Sequence, residues 1–399
     1  MLQDHLFLCL AHGYKGQRLL EEARLLGVRT LLLARASSRE LWPEKIADEV
    51  FYLPEFSDQE QLARCLGYLA RTRHFQAVFP LDELSVEAAA LAREQLGLDG
   101  QSLSQAHLFR DKLLMRLAAA RVRIPQPQFV AALNDGDLQE FMDRVPGPWY
   151  LKPRRLAGSA GIARVETRVQ LLDHLEELED QRAFYLVEES VEGRVYHVDS
   201  LVYGYQIPFA QVHVYGDPPW RISHYGGVFT TTTVNQRDRA NSILRTLNEQ
   251  VIGALGLNRG IVHAEFLERA GEFYFLEAAA RVGGANIDVL VEHTSGINLW
   301  REWLRMELCA LQNRSYQSPP LKDHYGAMLT CLSRQAWPDL TEFAGPDLSW
   351  TLHRLHHAGL VLTCRDFDRL AARVLKIKEQ MESRFLAVLP PEPVGGRSA

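Results

Sequence analysis

Residues 6–10 form an unbroken apolar run, the pattern of a strand buried on both faces. His12, Gly13 and Gly16 then turn the chain into a helix with apolar positions Leu19, Leu20, Ala23 and Leu26, and Gly27 stops it. A second strand is expected over 28–33 and a third over 77–80, followed by an alanine-rich helix over 86–95. Strand, helix and strand in this order spell a parallel α/β unit. Its first turn, GYKG, lacks the GxGxxG spacing that seats a pyrophosphate on a helix N-terminus, which argues against a dinucleotide site there.

Residues 104–120 read as one helix with Lys112 in its middle, ended by Pro125 and Pro127, where a new domain begins. A strand over 149–153, a small-residue loop over 156–162, a helix over 169–179 and a strand over 184–187 follow. The stretch 194–215 is rich in Val and Tyr with Gly204 in its middle and reads as two antiparallel strands. Ala240, Ile243, Leu244, Leu247 and Val251 recur at helical spacing up to Gly256, and strands over 260–267 and 272–278 come next. The four threonines of HYGGVFTTTTVN, residues 224–235, suit a strand. Beyond residue 313 the pattern is irregular until a helix from about 368 to 385, and the tail after Pro390, ending GGRSA, reads as mobile.

A length of 399 residues divides into two or three folding units, and 47% hydrophobic against 24% charged residues is the balance of a globular protein. A net charge of −6 argues against nucleic acid as the main partner. Cys9, Cys65, Cys309, Cys331 and Cys364 are far apart without a CxxC pair, which counts against a disulfide framework or a structural zinc site. The apolar run at 6–11 is too short for a signal segment and has no basic stretch before it, so a cytoplasmic chain without a membrane span is expected.

Candidate chemistry concentrates on the hairpin 260–278. A loop of residues 269–271 would pair Glu268 with Glu272 and make Glu265 and Glu277 diagonal neighbours on one face, roughly 7 Å apart at Cβ. Two carboxylates so placed can converge on hard cations; taken alone, the pair reads first as an acidic patch on a solvated strand. Phe266 and Leu276 would point the other way. Lys152 ends a strand and precedes AGSAGI, whose backbone N–H groups can approach phosphate oxygens. Arg281 lies four residues after Glu277 and ahead of Gly283 and Gly284, in reach of a phosphoryl or carboxylate oxygen or simply solvated. Glu188 and Glu189 close an apolar strand and offer a carboxylate and backbone groups to an adenine edge, or merely a polar strand end.

In this order, DK at 111–112 before IPQP, LKP with GSAG, LVEESVEG, HAEF, and LEAAAR with GG resemble the ATP-grasp superfamily of ligases over roughly residues 1–300. The resemblance implies a parallel α/β domain (1–103), a small lobe (104–187), a large lobe with the metal site (188–312) and a C-terminal lobe with its tail (313–399), an α/β and α+β architecture. It implies ATP held by Lys112 and Lys152, a loop with Gly158, Ser159 and Gly161 over the triphosphate, and Glu188 and Val191 at the adenine. It further implies Mg2+ on Glu265 and Glu277, with Mn2+ the alternative ion, and Arg281 steadying the transferring phosphoryl group.

Two positions depart from the superfamily pattern: Val195 replaces a ribose-binding glutamate, leaving Glu192 for that contact, and Ala279 replaces an asparagine near the second ion. Asp82 and Glu83, just past a strand, are candidates for an amine substrate, or a helix N-terminal acidic cluster. His224, Gly227, Thr231 and His263 are candidates for the substrate pocket. The resemblance implies a carboxylate–amine ligase acting on small, amino-acid-like molecules through an acyl phosphate, with a homodimer by analogy. A biotin-carboxylase-like or purine-pathway enzyme, and a degenerate ATP-binding module, are the competing expectations.

Overall fold

The computed structural model describes residues 5–388; the tail after Pro390 lies outside them. The chain begins with β1 (Leu6–Ala11), α1 (Gln17–Leu25), β2 (Arg29–Arg35), β3 (Glu49–Leu53), α2 (Gln59–Ala70), β4 (Ala77–Pro80) and α3 (Val86–Leu96). The four strands form a parallel sheet in the order β3-β2-β1-β4. Every residue of β1 is buried because both faces of a parallel sheet are covered. Leu8, Leu10, Leu31 and Leu33 face one core, while Phe7, Cys9, Leu32 and Ala34 face another that includes Trp303 of a later helix. Phe79 meets the Trp303 ring edge-on at 5.3 Å, which couples this domain to the rest of the chain. The unit β3-α2 was not expected from the pattern: β3 is an edge strand with only Leu53 buried, so it lacks the apolar run that announces β1.

The expected single helix over 104–120 is two helices, α4 (Leu103–Arg110) and α5 (Lys112–Arg121). Asp111 breaks it in an extended conformation, its carboxylate accepting from the backbone N–H groups of Leu113 and Leu114. The same carboxylate accepts from Arg154 Nε at 3.0 Å and Nη2 at 2.6 Å. Lys112 therefore stands at the first position of α5 instead of mid-helix, and its N–H donates to the Arg154 carbonyl at 2.8 Å.

Next come β5 (Phe129–Ala131), α6 (Asp135–Arg144), β6 (Trp149–Pro153), β7 (Ala163–Val165), α7 (Arg168–Glu177) and β8 (Tyr185–Glu189). Their antiparallel sheet runs β5-β8-β6-β7 over a core built on Leu138, Phe141, Trp149, Leu151 and Leu171. Glu188 lies within β8 and so belongs to this small sheet.

The remainder is β9 (Arg194–Tyr203), β10 (Gln206–Tyr215), α8 (Pro219–Tyr225), β11 (Phe229–Thr233), α9 (Arg239–Leu255), β12 (Arg259–Arg269), β13 (Glu272–Ala279), α10 (Ile287–Ser295), α11 (Leu299–Leu311), β14 (Tyr325–Leu332), β15 (Leu348–Thr351), β16 (His357–Cys364) and α12 (Phe367–Arg384). One eight-stranded sheet takes the order β13-β12-β9-β10-β11-β14-β16-β15. The strand expected over 224–235 is only β11; Pro218 and Pro219 start α8 ahead of it, and Gly226 and Gly227 separate the two. The segment beyond 313 is not irregular: β14 pairs with β11 (Thr231↔Met328) and extends the large sheet, and α12 packs with β14 and β16 around Leu329, Leu360, Leu370 and Met381. The sequence hid this because the pairing joins strands about a hundred residues apart.

Candidate active site

The β12–β13 hairpin turns on Ala270 and Gly271, both at positive φ, and pairs Arg269 with Glu272. The expected three-residue loop is thus a two-residue turn, and a register shift beyond Phe266↔Phe275 sets Glu265 directly opposite Glu277. The two acids are cross-strand partners, about 5 Å apart at Cβ by sheet spacing, closer than the diagonal expectation. The extra residue is Leu276, which lines the same cleft as Glu277 instead of pointing away from it. Tyr215 donates its hydroxyl to Glu265 at 2.8 Å, while the Glu277 side chain is 42% exposed.

The cleft has a volume of about 730 Å3 and lies between the small and large sheets. Lys112 and Lys152 reach into it with Glu188, Glu265 and Glu277. Lys112 Nζ donates to the Leu156 carbonyl at 2.8 Å and stands 3.3 Å from Glu277. Lys152 Nζ donates to Glu188 Oε1, and Arg116 donates to Glu188 Oε2 through Nε at 2.9 Å and Nη2 at 2.6 Å. Burial pushes the Glu188 carboxyl up, but Arg116 and Lys152 outweigh it and hold it below its ordinary value. Burial also lowers the Lys152 ammonium, against the pull of Glu188. The Glu188 carboxylate is therefore engaged with two cations and does not stand free to read an adenine edge.

Val191, Val195, Leu267 and Leu276 pack with Tyr215 into an apolar wall beside the cleft. Trp220 meets Tyr150 edge-on at 5.5 Å, an aromatic contact between α8 and the small sheet. Glu192 sits at the rim, 85% exposed and 3.5 Å from Arg164. Of the loop residues Gly158, Ser159 and Gly161, Ser159 lines the cleft.

On the side of the parallel sheet, the Asp82 carboxylate caps backbone, accepting from the N–H groups of His12 (2.7 Å), Gly13 (2.9 Å) and Ser85 (3.0 Å). Glu83 accepts from Arg110 at 2.6 Å and from Arg281 at 2.5 Å, which ties three parts of the chain together. Burial raises the Glu83 carboxyl, but Arg281 and Arg110 overcome it and bring it to about 2. A folded pKa below the unfolded one stabilises in full above pH 4.5 and loses that contribution as the pH falls toward 2. Urea unfolding is expected to find Glu83→Gln less stable than the native chain by about 3 kcal/mol at pH 7, with the gap closing through this acid window. A gap independent of pH would remove Glu83 from that role.

The four weaker pocket candidates, His224, Gly227, Thr231 and His263, lie outside the lining of this cleft. The His224 ring lies tilted against Trp220 at 4.7 Å within α8, and neither it nor Gly227 lines the cleft. Thr231 is buried with its hydroxyl 2.7 Å from His197 Nε2. His263 is also buried, with Nδ1 2.9 Å from Asp199 and Nε2 3.5 Å from Glu265. Burial lowers the His263 imidazole, but Asp199 and Glu265 reverse this and raise it to about 9. His263 thus sits behind Glu265 as a charged support and does not line the pocket.

No family model matches the chain. A D-alanine–D-alanine ligase of Saccharophagus degradans is 25% identical over 183 residues, 45% of this chain and 57% of that ligase, so the chain aligns with less than two thirds of it. Among solved structures, an L-amino acid ligase from Bacillus licheniformis superimposes with a TM-score of 0.75 at 16% identity, covering 96% of this chain and 99% of that one. A carboxyaminoimidazole ribonucleotide synthase from Aspergillus clavatus, solved in complex with ATP, gives 0.71 at 14% identity, covering 96% and 100%. The chain has the ATP-grasp fold.

Within the ATP-grasp frame, sequence reasoning missed Arg110, Arg116, Tyr215 and the buried group His197, Asp199 and His213. The alternation of His197 and Asp199 on β9 was the one local signal, since residues two apart share a face. No helix among the described residues is long and apolar enough to cross a membrane, and all five cysteines are free thiols.

Proposed function

We propose that this chain is an ATP-dependent carboxylate–amine ligase that forms an amide or peptide bond on amino-acid-like substrates. The observation that carries the reading is the cleft in which Glu265 and Glu277 stand opposite one another beneath Lys112 and Lys152. Two acidic side chains, one supported by Tyr215 and one half-exposed, are a hard-oxygen set that suits Mg2+. Magnesium held by Glu265 and Glu277 would supply positive charge to the triphosphate. Lys112 and Lys152 add two further cations from the small-lobe side, and Arg281, fixed by Glu83, adds a third. Val191, Val195, Leu267 and Leu276 receive the base and exclude water from it.

The substrate carboxylate attacks the γ phosphorus, the bond to ADP breaks, and an acyl phosphate forms. The amine then attacks the acyl carbon, phosphate leaves, and the nitrogen gives up a proton. No protein nucleophile is required; the side chains neutralise charge and align the reactants. The ligases among the relatives and the ATP-bound structural neighbour support this reading.

The test is ADP and phosphate release against a panel of amino acids, alone and in pairs, with bicarbonate and biotin as separate arms. Release that requires both a carboxylate and an amine is the expected result. Release driven by bicarbonate would favour a carboxylase-like enzyme, and ATP binding without release would favour a non-catalytic module.

A further inference from the structure

The face of β9 that bears Val195 in the cleft wall continues inward through His197 and Asp199 to Leu201 in the core against the parallel sheet. His263 of β12 stands opposite Asp199, and the next residue on that face of β12, Glu265, stands opposite His197. His197 and Asp199 are fully buried, and neither they, His263 nor Tyr215 lines the cleft, whereas Glu265 does. Asp199 Oδ1 lies 2.9 Å from His263 Nδ1, and Asp199 Oδ2 lies 2.7 Å from His197 Nδ1. A carboxylate only accepts, so both nitrogens carry a proton toward it, and an asparagine, with one oxygen, serves just one of them. His263 Nε2 is 3.5 Å from both the Tyr215 hydroxyl and Glu265 Oε1, and Tyr215 donates to that same Glu265 oxygen at 2.8 Å. Ala279, opposite His263 on β13, offers the ring no polar group. A Cβ on Gly283 would come within 2.9 Å of Asp199 Oδ1 and 3.1 Å of His263 Nδ1, so glycine there closes over the contact and a larger residue would push the two groups apart.

We propose that Asp199 is a positioning residue for Glu265: acting through His263 and Tyr215, it fixes that carboxylate in the orientation that holds a divalent ion. The cleft is taken as the magnesium and ATP site proposed above, and the assignment rests on that reading. Asp199 sets the His263 ring by its hydrogen bond to Nδ1, and the ring and the Tyr215 hydroxyl then converge on Oε1 from behind the cleft. Glu277 has no such backing, since its side chain is 42% exposed beside Lys112. The opposed pair thus combines one acid held in place with one that can adjust. A buried chain of satisfied polar groups restricts the rotation of a metal-ligating carboxylate before the ion arrives, so less freedom is lost on binding.

Calorimetric titration of the full chain with a non-hydrolysable ATP analogue, in EDTA and at graded Mg2+ concentrations, reads the metal requirement without turnover. In the native chain Mg2+ should tighten analogue binding. In Asp199→Asn and Tyr215→Phe the Mg2+ concentration giving half of that gain should rise by about 10- to 100-fold, with the affinity in EDTA unchanged. Ser200→Ala removes the acceptor of a buried Asn248 hydrogen bond (2.9 Å) on the opposite face of β9, and should leave both readings at their native values even where it lowers the thermal midpoint. If Asp199→Asn does not fold, Tyr215→Phe, which removes one oxygen from the same chain of contacts, decides. An unmoved Mg2+ requirement, a fall in the EDTA affinity by the same factor, or an equal rise in Ser200→Ala would each overturn the positioning role alone. Native protein whose analogue binding gains nothing from Mg2+ would overturn the reading of the cleft and this assignment together.

Discussion

Glu277→Gln lowers ADP formation by about three orders of magnitude while the protein stays folded. The expectation follows from position: Glu277 is the more open of the two opposed acids, and among the described residues its one ion-pair partner is Lys112 at 3.3 Å. A half-exposed pair of this kind contributes about 0–1 kcal/mol, so the thermal midpoint should move by no more than about 3 °C. Its carboxylate charge, by contrast, is half of the set proposed to hold magnesium, and glutamine keeps the shape while removing the charge. The measurement is coupled ADP release with the substrate pair that the panel identifies, beside thermal unfolding. Undiminished turnover would remove the hairpin from the chemistry, and the reading of the cleft with it.

Lys152→Ala is expected to weaken ATP binding by roughly 10- to 100-fold, the range for losing one charge-assisted hydrogen bond in a partly dry site. Calorimetric titration with a non-hydrolysable analogue reads the effect without turnover. The substitution leaves Glu188 still held by both donors of Arg116, so the small sheet keeps its internal ion pair and the change falls on the ligand. Unchanged affinity would show that Lys152 serves Glu188 alone. Glu188→Gln is the informative companion, because it frees Lys152 and leaves Arg116 buried without its anion.

These two residues also mark how far pattern reading reached. Glu277 and Lys152 were legible because each ends or flanks an apolar strand beside small residues, and such junctions are local. Arg116 was not legible: it lies inside α5 among leucines and alanines, and only the packing of that helix brings it to Glu188, 72 residues away. Asp111 shows the same limit. Its neighbours favour a continuous helix, and the break depends on Arg154 arriving from β6 to hold the carboxylate that caps α5.

By itself, the sequence established the apolar run that becomes β1, the strands β6 and β9, the helix ended by Gly256, and a hairpin bearing two glutamates. Each of these follows from side-chain periodicity within a few turns or pleats. Tertiary structure alone decided that the turn and the extra Leu276 bring Glu265 and Glu277 face to face, that Glu188 answers to two cations, and that the strands after residue 313 extend the large sheet. It alone gathered His197, Asp199 and His213. Those outcomes rest on strand register and on charges meeting across long stretches of chain, and a register shift of one residue exchanges which face a side chain occupies without altering local composition.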